Sequence, residues 1–169
     1  MRKLTHQSAR LFALWLAAAA LVVVADQTSK LAVLAHFQLG ERLPLTGFFN
    51  LVLVYNPGSA FSLLADAGGW QKWFFTALAL VISVWILHAL WQQPEQKLQS
   101  AALTLIMGGA IGNVIDRLAY GAVVDFLDVY IAHWHWPAFN IADSGICVGA
   151  ALLLWATWRN EHSEQEANK

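Results

Sequence analysis

At 169 residues, 58% hydrophobic, 12% charged and with a mean hydropathy of +0.50, the chain is too apolar for an ordinary soluble domain, where about a quarter of residues are charged. A net charge of -1 leaves no basic footprint and excludes nucleic acid as a partner. The single cysteine, Cys147, excludes an internal disulfide; within an apolar run it reads as a small core residue.

One membrane domain, residues 1–169, is the economical reading, with spans near residues 11–33, 71–92, 98–116 and 138–158. Met1-Arg2-Lys3 and Arg10 form a basic flank ahead of residues 11–25, which are uncharged and resemble a signal peptide with Val23-Val24-Ala25 as its cleavage site. Fifteen residues of helix cover only about 22 Å of a hydrocarbon core about 30 Å thick. The apolar pattern resumes at Leu31, however, and Asp26 and Lys30, four apart, pair on one helical face. A retained first span is therefore favoured over a cleaved signal.

Residues 35–69 differ in kind. Gly40, Pro44, Gly47, Pro57 and Gly58 punctuate β-prone runs such as Phe48-Phe49-Asn50-Leu51-Val52-Leu53-Val54-Tyr55, which suggests a small sheet lying on the membrane surface. Asn56-Pro57-Gly58 makes a turn that offers a side-chain amide, and Ala60-Phe61-Ser62-Leu63-Leu64 reads as a short interfacial helix.

The second span is uncharged between Lys72 and Glu95, is flanked or lined by Trp73, Trp85 and Trp91, and ends at Pro94. The third carries Gly108-x-x-x-Gly112, which admits a close helical neighbour. The fourth starts near Pro137, a good first-turn residue, and closes at Arg159; residues 160–169 read as a polar, frayed tail. Four spans put both termini on one side. That side holds six of the basic residues against four on the other, which favours cytoplasmic termini.

Asp116, Asp125, Asp128 and Asp143 then gather at the extracytoplasmic interface, where ionisable groups mark functional cavities. Asn113, Asp116 and Arg117 share one face of the third helix, and Asn140 and Asp143 are three apart on the fourth. A lone Asp143 would merely complement a helix dipole. Asp125, arriving in the connecting loop at the same membrane face, makes a pair instead. Two close carboxylates share a proton, so one acts as base and the other as acid, which suits water attack on a peptide carbonyl without metal or covalent intermediate. Asp128 rivals Asp125 for this role. His133 and His135 with Asp125 or Asp128 form a weaker zinc pattern, since His and Trp alternating near a span suit the interfacial belt. Proton-coupled transport and a helix-packing scaffold are the alternatives from other classes.

Five segments occur in an order that resembles lipoprotein signal peptidase (signal peptidase II), an aspartic membrane protease family of bacteria: Asp26-Gln27-x-Ser29-Lys30, Asn56-x-Gly58-x-Ala60-Phe61-Ser62, Gly108-Gly109-Ala110-x-Gly112-Asn113-x-x-Asp116-Arg117, Val124-Asp125-Phe126 and Phe139-Asn140-x-Ala142-Asp143. The resemblance implies an all-α membrane protein of the bacterial inner membrane: four transmembrane helices, cytoplasmic termini, a small extracytoplasmic β-cradle near residues 41–56 and a surface helix near 60–69. It implies removal of the signal peptide from diacylglyceryl-modified prolipoproteins, before the lipidated cysteine, with no cofactor or metal. Asp125 and Asp143 correspond to the catalytic dyad, and Asn56, Asn113, Arg117 and Asn140 to substrate-positioning groups. Asp116 corresponds to a supporter of Arg117, and Asp26, Lys30, Gly108 and Gly112 to structural positions. Membrane lipids and globomycin-type inhibitors are the further implied ligands. Pro57 is a departure that leaves this site reading intact.

Overall fold

A computed structural model describes residues 5–58 and 69–167, without the side chains of 161 and 163–167. Its helices are α1 (His6–His36), α2 (Trp70–Gln92), α3 (Lys97–Tyr120) and α4 (Ile141–Ala167), and all four are long and apolar enough to cross a membrane. Thr5 starts α1 by accepting the Ser8 N–H on its side-chain oxygen at 3.1 Å. At 31 residues, about 46 Å, α1 outruns the hydrocarbon core, so its last turns project into the polar layer. There Val33 packs with Leu53, Val124 and Phe126 beneath a sheet. At the opposite end of the bundle the α2–α3 turn is tied to α1 by Ser8 on Glu95 and by Trp15 Nε1 donating to the Pro94 carbonyl at 2.9 Å.

That sheet is antiparallel with strands in chain order: β1 (Arg42–Thr46), β2 (Phe49–Asn56), β3 (Val123–Ile131) and β4 (Trp134–His135). Half of it comes from residues whose sequence reads as a connecting loop. Val-Val-Asp-Phe-Leu-Asp-Val-Tyr-Ile has the β-branched and aromatic content of a strand, but its carboxylates break the apolar pattern. The expected surface helix near 60–69 falls on residues outside those described, apart from Gly69.

α4 begins at Ile141, four residues beyond Pro137. Phe139 is held extended against β3, its N–H donating to the Leu127 carbonyl at 3.0 Å and its carbonyl accepting the Leu127 N–H at 2.8 Å, so helix is impossible before Asn140. At its other end α4 stays helical to Ala167, where the sequence suggested a frayed tail.

α3 is the central element, packed on α1, α2 and α4. Its glycines divide the labour. A Cβ on Gly108 would meet Val22 of α1 at 2.7 Å, and one on Gly112 would meet Asp26 Oδ2 at 2.6 Å. Gly109, outside the Gly108-x-x-x-Gly112 pattern, is the tight point against α4, where an added Cβ would overlap the Ala142 carbonyl oxygen. Gly109→Ala is therefore expected to cost about 1–3 kcal/mol through forced separation of α3 and α4. Thermal unfolding in detergent checks this; an unchanged Tm would show that the helices part freely.

Candidate active site

Asp143 is the third residue of α4 and Asp125 the third of β3, and Asn140 joins the two elements. The Asn140 Oδ1 accepts the Asp143 N–H at 2.8 Å, satisfying a first-turn donor that the helix cannot satisfy itself. Asn140 thus caps α4 from outside instead of sharing a helical face with Asp143. With its oxygen committed, only the amide nitrogen is left to face Asp125, and it donates to Asp125 Oδ1 at 2.7 Å.

Asn56 repeats the arrangement from the end of β2. Its Oδ1 accepts the Gly58 N–H at 3.0 Å, and its Nδ2 donates to Asp125 Oδ2 at 3.0 Å. Asn113 does so from α3: Oδ1 accepts from Lys30 Nζ at 3.0 Å, and Nδ2 donates to Asp143 Oδ1 at 2.7 Å. Three asparagines thereby present N–H groups to the two carboxylates.

Asp125 is 1% exposed. Burial raises its pKa first and the charge of Asp143 adds to that, to about 7; the amides of Asn56 and Asn140 and the charge of Lys30 pull the other way without prevailing. Asp143 lines a cavity of about 640 Å³ whose walls include Asn56, Arg117 and the apolar Phe75, Trp136, Phe139 and Val148. The Arg117 guanidinium stands 5.5 Å from the Phe75 ring centre, and its Nη1 is 3.4 Å from the Asn113 carbonyl. Its buried Nε has no partner among the described residues. Nothing in the sequence distinguished Phe75 from the other aromatic residues of its span.

Asp128 is three residues from Asp125, which on a strand is the opposite face. It accepts from Asn50 at 2.8 Å and from His135 Nδ1 at 2.8 Å, with Arg42 at 3.8 Å. Burial alone would raise its pKa, but the bonds from Asn50 and His135 outweigh burial and hold it below the usual carboxylate range. It does not line the cavity. His133 is exposed in the β3–β4 turn, and no three His, Cys, Asp or Glu side chains converge on a metal-sized site among the described residues.

Beneath the pair lies a buried charge cluster. Lys30, 1% exposed, has three N–H donors and three acceptors: Asp26 Oδ2 at 2.8 Å, Asp116 Oδ2 at 2.7 Å and Asn113 Oδ1 at 3.0 Å. Asp26 Oδ1 accepts the Ala142 N–H at 2.9 Å, and Asp116 Oδ2 accepts the Val124 N–H at 3.0 Å, one residue before Asp125. Asp116, expected to support Arg117, makes its hydrogen bonds to Lys30, Gln27 and Val124 and acts on Arg117 through its charge. Gln27, to which the sequence assigned no role, donates to Asp116 Oδ1 at 2.8 Å and to the Gly112 carbonyl at 3.1 Å. Its spacing of three from Lys30, on the same helical face, was the available signal.

Residues 18–159 match the family described as Signal peptidase (SPase) II. The chain is 59% identical to a lipoprotein signal peptidase of Cupriavidus necator over 141 residues, which is 83% of this chain and 81% of that one. To a lipoprotein signal peptidase of Polynucleobacter necessarius it is 54% identical over 145 residues, 86% and 89% of the two chains. A solved bacterial membrane enzyme structure superposes with a TM-score of 0.78 at 28% identity, covering 88% of this chain and 90% of that one. With the match running through four membrane-length helices and most of the sequence, this multi-pass membrane protein belongs to the signal peptidase II family.

Proposed function

We propose that this chain is an aspartic endopeptidase that removes the signal peptide from diacylglyceryl-modified prolipoproteins, cutting before the lipidated cysteine with a water activated by Asp125 and Asp143. Family membership makes it a signal peptidase acting on prolipoproteins. The aspartic chemistry and the position of the cut are the proposal, and the observation that carries it is that Asn140 bridges buried Asp125 and Asp143, which lines the apolar cavity.

With a pKa near 7, Asp125 holds a proton below neutrality, and Asp143 serves as the carboxylate that polarises the attacking water. Water adds its oxygen to the scissile carbonyl carbon and gives a proton to Asp143, while Asp125 protonates the carbonyl oxygen. Collapse of the resulting diol breaks the C–N bond. The proton taken by Asp143 passes to the leaving amine, and the diol returns one to Asp125. The Arg117 guanidinium, in the cavity wall, is the cation that holds a substrate carbonyl, and the amides of Asn56, Asn113 and Asn140 keep both carboxylates aimed. The active site then lies at the extracytoplasmic face of the inner membrane, with both termini cytoplasmic. Globomycin-type inhibitors compete for the same cavity.

The apolar walls give the lipid its part. Acyl chains set in the same leaflet as the cavity hold the scissile bond at the depth of the carboxylates, and loss of such positioning costs about a hundredfold in rate. Purified protein is therefore expected to cleave a diacylated prolipoprotein before its cysteine, with kcat/KM at least about a hundredfold above that for the unlipidated form in the same bilayer. Equal values would leave a membrane protease indifferent to lipid, and cleavage elsewhere in the chain would remove the assigned position.

A further inference from the structure

We propose that Asp128 and His135 are a positioning pair that sets the Trp136–Phe139 wall of the cavity and so tunes how tightly substrate is held; this rests on reading that cavity as the substrate site. Trp136, Pro137, Ala138 and Phe139 are four consecutive lining residues. They form an arch with two feet. One foot is Phe139, bonded through its backbone to Phe126 and Leu127 and followed directly by Asn140. The other is Trp136, whose N–H donates to the Val129 carbonyl at 2.8 Å.

Between the feet the returning chain is longer than the strand beneath it. Leu127 faces Phe139 and Tyr130 faces His135, so three steps along β3 are matched by four on the way back. The extra residue lifts the arch from β3, and Pro137 has no N–H with which to tie it down. The Trp136 foot is held by β4, a strand of only two residues. A ribbon so short is marginal by itself.

The Asp128–His135 contact supplies the missing anchor. Asp128 is 3% exposed, and His135 Nδ1 lies 2.8 and 3.0 Å from its two oxygens, so Nδ1 carries the proton and donates. Asn50 fixes the carboxylate from β2 at 2.8 Å, and the His135 ring stacks on Tyr130 with centres 5.0 Å apart. Tyr130 is fixed in turn by donating its hydroxyl to the Thr46 carbonyl at 3.0 Å. One residue separates this anchored ring from the cavity wall. The dyad belongs to other contacts: Asp125 is on the opposite sheet face, and Asp143 is held by Asn113 and Asn140. Loosening the arch therefore weakens substrate binding without disarming the chemistry.

The test uses the full-length protein in detergent or bilayer with a diacylated prolipoprotein. His135→Ala and Asp128→Ala are each expected to raise KM about tenfold with kcat within about twofold, and the double variant to lose no more than either alone. His135→Asn, which keeps an N–H for Asp128, is expected to recover most of the loss. Simple misfolding gives the opposite signature, a lower apparent kcat from fewer active molecules at unchanged KM. Amide exchange supplies a readout free of substrate: the Trp136 N–H should exchange faster in His135→Ala while the Val124 N–H stays protected. Unchanged KM, a kcat loss that dominates, or unaltered Trp136 exchange would each overturn the positioning role. Failure of the unmodified protein to cleave would count against the proposed activity instead, and leaves the exchange result to decide this one.

Discussion

Asp125→Asn and Asp143→Asn are each expected to lower kcat/KM for diacylated prolipoprotein by about 10³-fold or more, with folded protein still in the membrane. In the proposed mechanism the pair works as a unit, so the double variant should lose little beyond either single one. Asp128→Asn should leave kcat almost intact; were it the inactive variant and Asp125→Asn active, the dyad would be misassigned. The pH profile carries the same logic. In the proposed mechanism Asp125 holds a proton, and with its pKa raised to about 7, kcat/KM should fall as pH rises through about 7. Asn56→Ala removes a donor that favours the charged form, so it should move this fall to higher pH.

Stability should run against activity at Asp125. A carboxyl whose folded pKa is raised from 3.8 to about 7 favours folding fully only below its ordinary pKa, and that support disappears as pH rises through about 7. The neutral amide of Asp125→Asn avoids this penalty, on the order of 4 kcal/mol above neutrality. It sets an NH₂ against the donor of Asn56 or Asn140, however, and neither can turn over without abandoning Gly58 or Asp143. A lost hydrogen bond of about 1–2 kcal/mol remains. The variant should therefore have a higher Tm than the parent at pH 8 and a lower one at pH 4. A Tm difference of one sign across that range would show that the carboxyl is not held neutral by its surroundings.

Lys30→Met is expected to destabilise the protein by about 3–5 kcal/mol, well beyond the cost of Gly109→Ala. Methionine fills the volume but leaves Asp26 and Asp116 facing each other, buried, with no cation between them. It also releases the Asn113 oxygen that fixes the amide aimed at Asp143. Activity should fall even in the fraction that folds, and replacing all three groups together, Lys30→Met with Asp26→Asn and Asp116→Asn, should recover stability but not turnover. Thermal unfolding paired with active-site titration separates the two. A single Lys30→Met variant with parental Tm would mean that water reaches the cluster.

The helices were legible because long charge-free runs with tryptophan at their ends have few other readings. The carboxylates were legible for the same reason in reverse: an Asp in so apolar a chain stands out. What stayed hidden depends on partners distant in sequence. The sequence suggests a loop at Asp125 because a strand buried on both faces does not alternate, and its register comes from β2, some seventy residues away. Asn140 read as helical because Pro137 is a good helix starter, yet the pairing of Phe139 with Leu127 overrides that preference. Gly109 does not stand out beside Gly108 and Gly112, since spacing identifies a small-residue face without saying which helix meets it.

The orientation locks on the three asparagines also bear on how the enzyme ages. Asparagine deamidates when the next backbone nitrogen attacks its side-chain carbonyl, and the product is a carboxylate. At Asn56, Asn113 or Asn140 that product would replace a donor with a negative charge hydrogen-bond distance from Asp125 or Asp143. Asn56 lies at a strand end, the least constrained of the three, and Pro57 follows it with no N–H to attack. Asn113 and Asn140 precede the β-branched Val114 and Ile141, and both are buried. The residue after Asn56 thus removes the route by which the most exposed of these amides would turn into a third acid.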